Sequence, residues 1–118
     1  MPYKMKNAYI LLLLLGVMIS CSSENSATVH VLNDSGQLIE KLKIDVFGKS
    51  QTISSLKNGE STTLMYHNLS DSHFTLNGEL EDGSRIAGDF GYVTNGMNFE
   101  VSFRIHKGGE VEFTSSPK

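Results

Sequence analysis

A single cysteine, Cys21, serves the whole chain of 118 residues, so no intramolecular disulfide can form. Tryptophan is absent as well, which removes both the buried indole and the bridge that mark antibody domains. The longest apolar run, residues 8–19, is too short to cross a bilayer, since a spanning helix needs roughly 20 residues. Basic residues do not dominate: ten Lys and Arg against thirteen Asp and Glu leave no electrostatic footprint for nucleic acid. Beyond residue 27 no window of helical length carries a 3.6-residue apolar period. Neither a phosphate loop nor a dinucleotide fingerprint occurs. The Gly59-x-Ser61 of "NGEST" is no nucleophile elbow, because Thr63 stands where the second glycine is required.

What is present begins at the N-terminus. Lys4 and Lys6 form a basic region ahead of the apolar run, the pattern of a secretory signal over residues 1–20. An ordinary cleavage would need small residues one and three places before the cut. Met18 and Asn25 occupy the third place before the nearest candidate cuts.

The run ends in Met18-Ile19-Ser20-Cys21, which resembles the lipobox of bacterial lipoproteins: an aliphatic residue, a variable small or aliphatic one, Gly, Ala or Ser, then cysteine. Ser20 and Cys21 match that pattern, and Met18 stands in place of the usual Leu. The resemblance covers residues 1–22 and implies that the Cys21 sulfur becomes a thioether to diacylglycerol. It also implies that the signal is cut before Cys21 and that the freed amine is acylated. The chemistry suits the residue, since a thiolate is the strongest nucleophile the side chains offer. Each buried methylene adds about 0.8 kcal/mol of membrane affinity, so several chains on one residue hold it firmly. Ser22, where an Asp would mark inner-membrane retention, resembles the outer-membrane sorting pattern of Gram-negative lipoproteins. Without Lys4 and Lys6 the mature chain carries a net charge of about −5, which disfavours a second, electrostatic grip on anionic lipid.

Residues 21–27 read as the lipidated cysteine and a short polar tether, "SSENSA", with a reach of about 20 Å when extended. Residues 28–118 read as one all-β domain, a small antiparallel sandwich of seven to eight strands, with immunoglobulin-like and transthyretin-like topologies both open. Strands are expected over residues 28–32 and 38–47, with Leu42, Ile44 and Val46 inward and Lys41, Lys43 and Asp45 outward. From Asn98 to His106, Phe99, Val101, Phe103 and Ile105 share one face. A three-residue loop, 107–109, pairs Ile105 with Val111, Phe103 with Phe113 and Arg104 with Glu112, with Gly109 left-handed. A three-residue loop at Glu81-Asp82-Gly83 pairs Phe74 with Phe90 and Glu79 with Arg85. Two-residue hairpins are expected at Asn58-Gly59, pairing Ile53 with Leu64, Ser55 with Thr62 and Lys57 with Glu60, and at Asn95-Gly96, pairing Tyr92 with Phe99 and Phe90 with Val101. Together these make the last four strands a meander.

Three stretches invite a chemical reading. "HNLSDSH" offers His67, Asp71 and His73, metal ligands in kind but without a fourth partner, and equally read as solvated residues at strand ends. "NGELEDG" alternates oxygen side chains as a calcium loop does, but Asp82 occupies the place of the required glycine, and a hairpin accounts for it. "GDFGYVTNG" sets Tyr92, Asn95 and Gly96 as an interaction edge; alternatively Gly88 and Gly91 are bulges while Phe90 and Tyr92 fill the core.

The expectation is therefore a non-enzymatic binding or interaction module without a cofactor. It is held by lipid on Cys21 at the periplasmic face of the outer membrane and meets a protein partner of the envelope. A metal-binding or hydrolytic envelope protein using His67, Asp71 and His73 is the alternative, and a passive structural lipoprotein the second.

Overall fold

A computed structural model of the chain describes residues 26–94 and 97–117. The expected signal, Cys21, the tether as far as Asn25, and Asn95 with Gly96 lie outside the described residues. The strands are β1 (Ala27–Asn33), β2 (Ile39–Val46), β3 (Lys49–Leu56), β4 (Ser61–Tyr66), β5 (Ser72–Leu80), β6 (Arg85–Val93), β7 (Phe99–Ile105) and β8 (Val111–Pro117). They form two sheets of four, in the orders β4-β1-β7-β8 and β3-β2-β5-β6, packed face to face as an all-β sandwich.

Period-2 alternation builds the core between them. Val29 and Val31 of β1, Leu42, Ile44 and Val46 of β2, and Val101, Phe103 and Ile105 of β7 all point inward and are buried. Phe74 and Phe90 from one sheet meet Phe103 from the other edge-on, each pair with centroids 5.8 Å apart, and Phe113 packs against Phe90 and Phe103. Tyr66 clamps the two layers together: its buried hydroxyl donates to the Ile44 carbonyl at 2.6 Å, from β4 to β2 across the sandwich.

Both three-residue hairpins are as the sequence predicts. Ile105 pairs with Val111, Arg104 with Glu112 and Phe103 with Phe113, and Gly109 has φ +85°. Phe74 pairs with Phe90 and Glu79 with Arg85.

The two Asn-Gly hairpins are corrected. A turn does close at Asn58-Gly59, where the Glu60 amide donates to the Lys57 carbonyl at 3.0 Å, but β3 and β4 then part into different sheets. β3 pairs with β2, and β4 with β1. Likewise β6 stays beside β5 while β7 lies in the opposite sheet, so Tyr92 does not face Phe99 within a ladder and the last four strands are two separate hairpins. The physical reason is that inward side chains match apolar with apolar across the sandwich as well as along a ladder. Agreement of apolar pairs therefore does not tell the two arrangements apart.

One turn escaped the sequence reading. The β2–β3 hairpin turns on Phe47-Gly48, with Val46 opposite Lys49, so residue 47 is a turn residue and the strand stops at Val46. The parallel pairing of β1 with β7, Val29 beside Val101 and Val31 beside Phe103, was also unforeseen. The sheet membership, with β2 and β5 in the sheet opposite β1, excludes the immunoglobulin order, in which the first strand shares its sheet with the second, fourth and fifth. Of the two topologies left open, the transthyretin-like one remains.

Candidate functional site

The pairings sort every loop to one of two ends. Strands β1, β3, β5 and β7 begin, and β2, β4, β6 and β8 finish, at the end where the tether enters. A seven-residue strand at about 3.3 Å per residue sets the other end about 20 Å away.

The far end is polar and tied together. Asn33, fully buried, donates through Nδ2 to the carbonyls of Gln37 and Leu56 at 2.7 and 2.8 Å. Its Oδ1 accepts from the Ser35 amide and hydroxyl at 3.1 and 2.6 Å. Gly36 donates to Asn58 Oδ1 at 2.8 Å, and the Gln37 amide side chain exchanges two hydrogen bonds with Asp82. Four loops are thereby joined, because Asp34 also donates to the Ile105 carbonyl at 2.8 Å. The Asp82 carboxyl is held below its ordinary range by hydrogen bonds from Ser84 and then from Gln37. The turns carry Asp34, Glu60, Glu81, Asp82 and Glu110 against Lys57 and Lys107, an acidic surface.

The tether end is built otherwise. Among the described residues, the large apolar side chains that stand exposed are Phe47 at 47%, Met65 at 49%, Tyr92 at 63% and Met97 at 42%, and all four are here. Phe47 is there because a two-residue hairpin needs left-handed backbone at both central positions. Gly48 takes φ +69° without strain, while Phe47 is held at φ +49°, an unfavourable region for an aromatic residue. Met65 follows from alternation: Leu64 and Tyr66 flank it on β4, and it pairs with Thr28 on the outer face. Tyr92 is turned outward by a bulge. Between the pairs Phe74–Phe90 and Ser72–Val93, β6 carries one residue more than β5, at Gly91-Tyr92. Gly91, at φ +64°, also leaves room for Phe113, with whose ring a Cβ there would collide. Of the sequence alternatives for this stretch, the bulge at Gly91 is real and Phe90 packs on the core, but Tyr92 does not fill it. Gly88 keeps regular pairing with Leu76, and β6 does not pass between sheets.

Of the interaction edge proposed from sequence, Tyr92 is therefore exposed, while Asn95 and Gly96 lie outside the described residues. The tether arrives beside it: Ser26 donates through its amide and hydroxyl to Asn98 Oδ1, both at 3.1 Å, and its carbonyl accepts from Phe99. Lys49 crosses the end to donate to the His67 carbonyl at 2.8 Å, and Gln51 donates to the Met65 carbonyl at 2.7 Å.

His67, Asp71 and His73 share this end without forming a metal set; no cluster of three His, Cys, Asp or Glu able to hold an ion exists among the described residues. His73 Nε2 instead lies 3.5 Å from Asp89, a surface pair. The other histidines are similarly engaged, His30 with Thr63 and Glu100, His106 with Glu112 and Asp34. An open groove on the β4-β1-β7-β8 face is lined by His30, Ser61, Ser102, Arg104, Glu112 and Thr114. Sequence reasoning found Tyr92 and missed Phe47, Met65 and Met97. A pairing test at Phe47-Gly48 would have located the first.

The sequence matches no protein-family model and no curated protein. In structure the chain is similar to a protein from Eubacterium rectale solved by NMR, with a TM-score of 0.56 and 16% identity over 76% of this chain and 87% of that one. That likeness defines the class, a small two-sheet β domain.

Proposed function

We propose that the protein is a lipid-anchored binding module of the bacterial envelope, attached through Cys21 and facing the periplasm from the outer membrane. The observation that carries this reading is the lipobox-like Met18-Ile19-Ser20-Cys21, five residues before Ser26, where the described domain is already pinned to Asn98. A globular β domain starting so close behind an acylated cysteine stays at the membrane surface, within about 20 Å. Its histidines are engaged in surface pairs with carboxylates or exposed at a strand end, which favours recognition over catalysis. The partner is a protein of the same envelope.

Expression of the full chain in a Gram-negative host with labelled palmitate tests the reading. The expected product is a chain beginning at Cys21 that carries diacylglycerol and acyl mass and fractionates with membranes. Cys21→Ser abolishes the label. A mature chain cut elsewhere, with an unmodified thiol, overturns the proposal. Crosslinking of the anchored protein in intact cells then identifies the partner.

A further inference from the structure

We propose that the tether end of the sandwich docks directly on the bilayer, with Phe47, Met65, Tyr92 and Met97 entering the interfacial zone; this rests on the lipid anchor at Cys21. Three features of the molecule argue for lipid as the occupant. First, among the described residues all four exposed large apolar side chains gather at the end the tether enters, and none stands at the other. The leash from Cys21 to Ser26 is too short for this end to leave the surface by more than about 20 Å.

Second, charge is sorted in the sense a membrane requires. The far turns carry five carboxylates, whereas the loops of the tether end, residues 47–48, 67–71 and 94 with 97–98, carry only Asp71, and the cation Lys49 begins β3 at the same end. An anionic surface repels the first end and tolerates the second. Third, the side chains are of the kinds that interfaces accept. Tyrosine is enriched at the headgroup level, and phenylalanine and methionine enter the acyl boundary, where apolar groups sit about 5–10 Å deep. The strained placement of Phe47 at a hairpin tip, clear of the core, gives that aromatic group maximal projection.

The grip is apolar, which agrees with the acidic net charge. It fixes the orientation of an already anchored domain, presenting the far turns and the outer sheet faces to the periplasm. Multivalent attachment of this kind needs little affinity per contact, because the lipid supplies the effective concentration.

The test uses the full lipidated chain in vesicles of phosphatidylethanolamine and phosphatidylglycerol. The chain lacks tryptophan, so Phe47→Trp and, separately, Lys107→Trp at the far end each give a unique probe. Brominated lipids should quench the Phe47→Trp emission at least about twofold and leave Lys107→Trp unchanged, as interfacial burial of one end requires. Adding Met65→Ser and Tyr92→Ser to Phe47→Trp should reduce that quenching while the protein stays membrane-bound through Cys21. Intact mass of each sample reports the lipid independently. If the mass shows an acylated Cys21 and the two probes are quenched equally or not at all, the docking proposal is overturned and the anchor stands. If the mass shows no lipid, the anchor reading fails and docking falls with it. Shielding of Phe47→Trp from acrylamide only when envelope proteins are present would also overturn docking, and assign this end to a protein.

Discussion

At the far end of the sandwich, four turns are stitched to one another through Asn33, Asp34, Gln37, Asn58 and Asp82, and polar atoms there find partners within the protein. At the tether end, Phe47, Met65, Tyr92 and Met97 spend their apolar surface outside the core, and Phe47 does so in strained backbone. The contrast teaches where the molecule keeps its stability and where it keeps surface for something else. Substitutions at the far end should be costly to folding. Those of the exposed apolar group should be neutral or favourable to folding and harmful only to docking.

The largest effect is expected at Asn33. Asn33→Leu removes four hydrogen bonds, taking the Asn33 side chain from the Ser35 amide and the Leu56 carbonyl while Ser35 and Gln37 keep only each other, and costs about 3 kcal/mol of unfolding free energy in urea titration. A cost near zero would break the contrast. Tyr66→Phe comes next, at about 1 kcal/mol for one buried hydrogen bond. Burial, and secondarily the Asp45 carboxylate, push the Tyr66 hydroxyl up from 10.0 to about 12. A proton-bearing group whose pKa is raised on folding contributes stability below its unfolded pKa and loses it as pH climbs through the folded one. Urea midpoints of the native protein should therefore fall between pH 10 and about 12, and Tyr66→Phe should flatten that decline.

Phe47→Asn should act in the opposite direction. Asparagine tolerates left-handed backbone and suits the first place of a two-residue hairpin, so the variant should gain about 0.5–1 kcal/mol while docking less well. Loss of stability would place Phe47 among the core residues instead. The smallest effect belongs to Asp82, whose exposed carboxyl is held below its ordinary range by Ser84 and Gln37. That contribution is present above the unfolded pKa near 3.8 and is lost as pH falls through the lower folded value. Thermal melts of Asp82→Asn should show a shallower acid decline than those of the native protein.

The turns show what the sequence makes legible. At Glu81-Asp82-Gly83 and residues 107–109 the register was tested by wet-face pairs, Glu79 with Arg85 and Arg104 with Glu112. Such pairs meet only within one sheet, and both hairpins were read correctly. At Asn95-Gly96 only apolar pairs were matched, and these meet equally well through the core, so a crossing between sheets passed for a hairpin. At Asn58-Gly59 the polar pair Lys57 with Glu60 is made within the turn itself, but the next polar pair, Ser55 with Thr62, is not, since Thr62 pairs with Val31 of β1. The candidate site suffered from the same ambiguity. Tyr92 was visible as an aromatic among glycines, but Phe47, Met65 and Met97 converge only once every strand end has been assigned to its pole.

Amide hydrogen exchange of the lipidated chain on vesicles, set against Cys21→Ser in solution, tests the two-ended account most directly. The account predicts added protection confined to the amides around residues 47–49, 65–72, 91–93 and 97–98, with the turns at 33–37, 57–60, 81–84 and 106–110 unchanged. Added protection at those far turns, or none at the tether end, would contradict it.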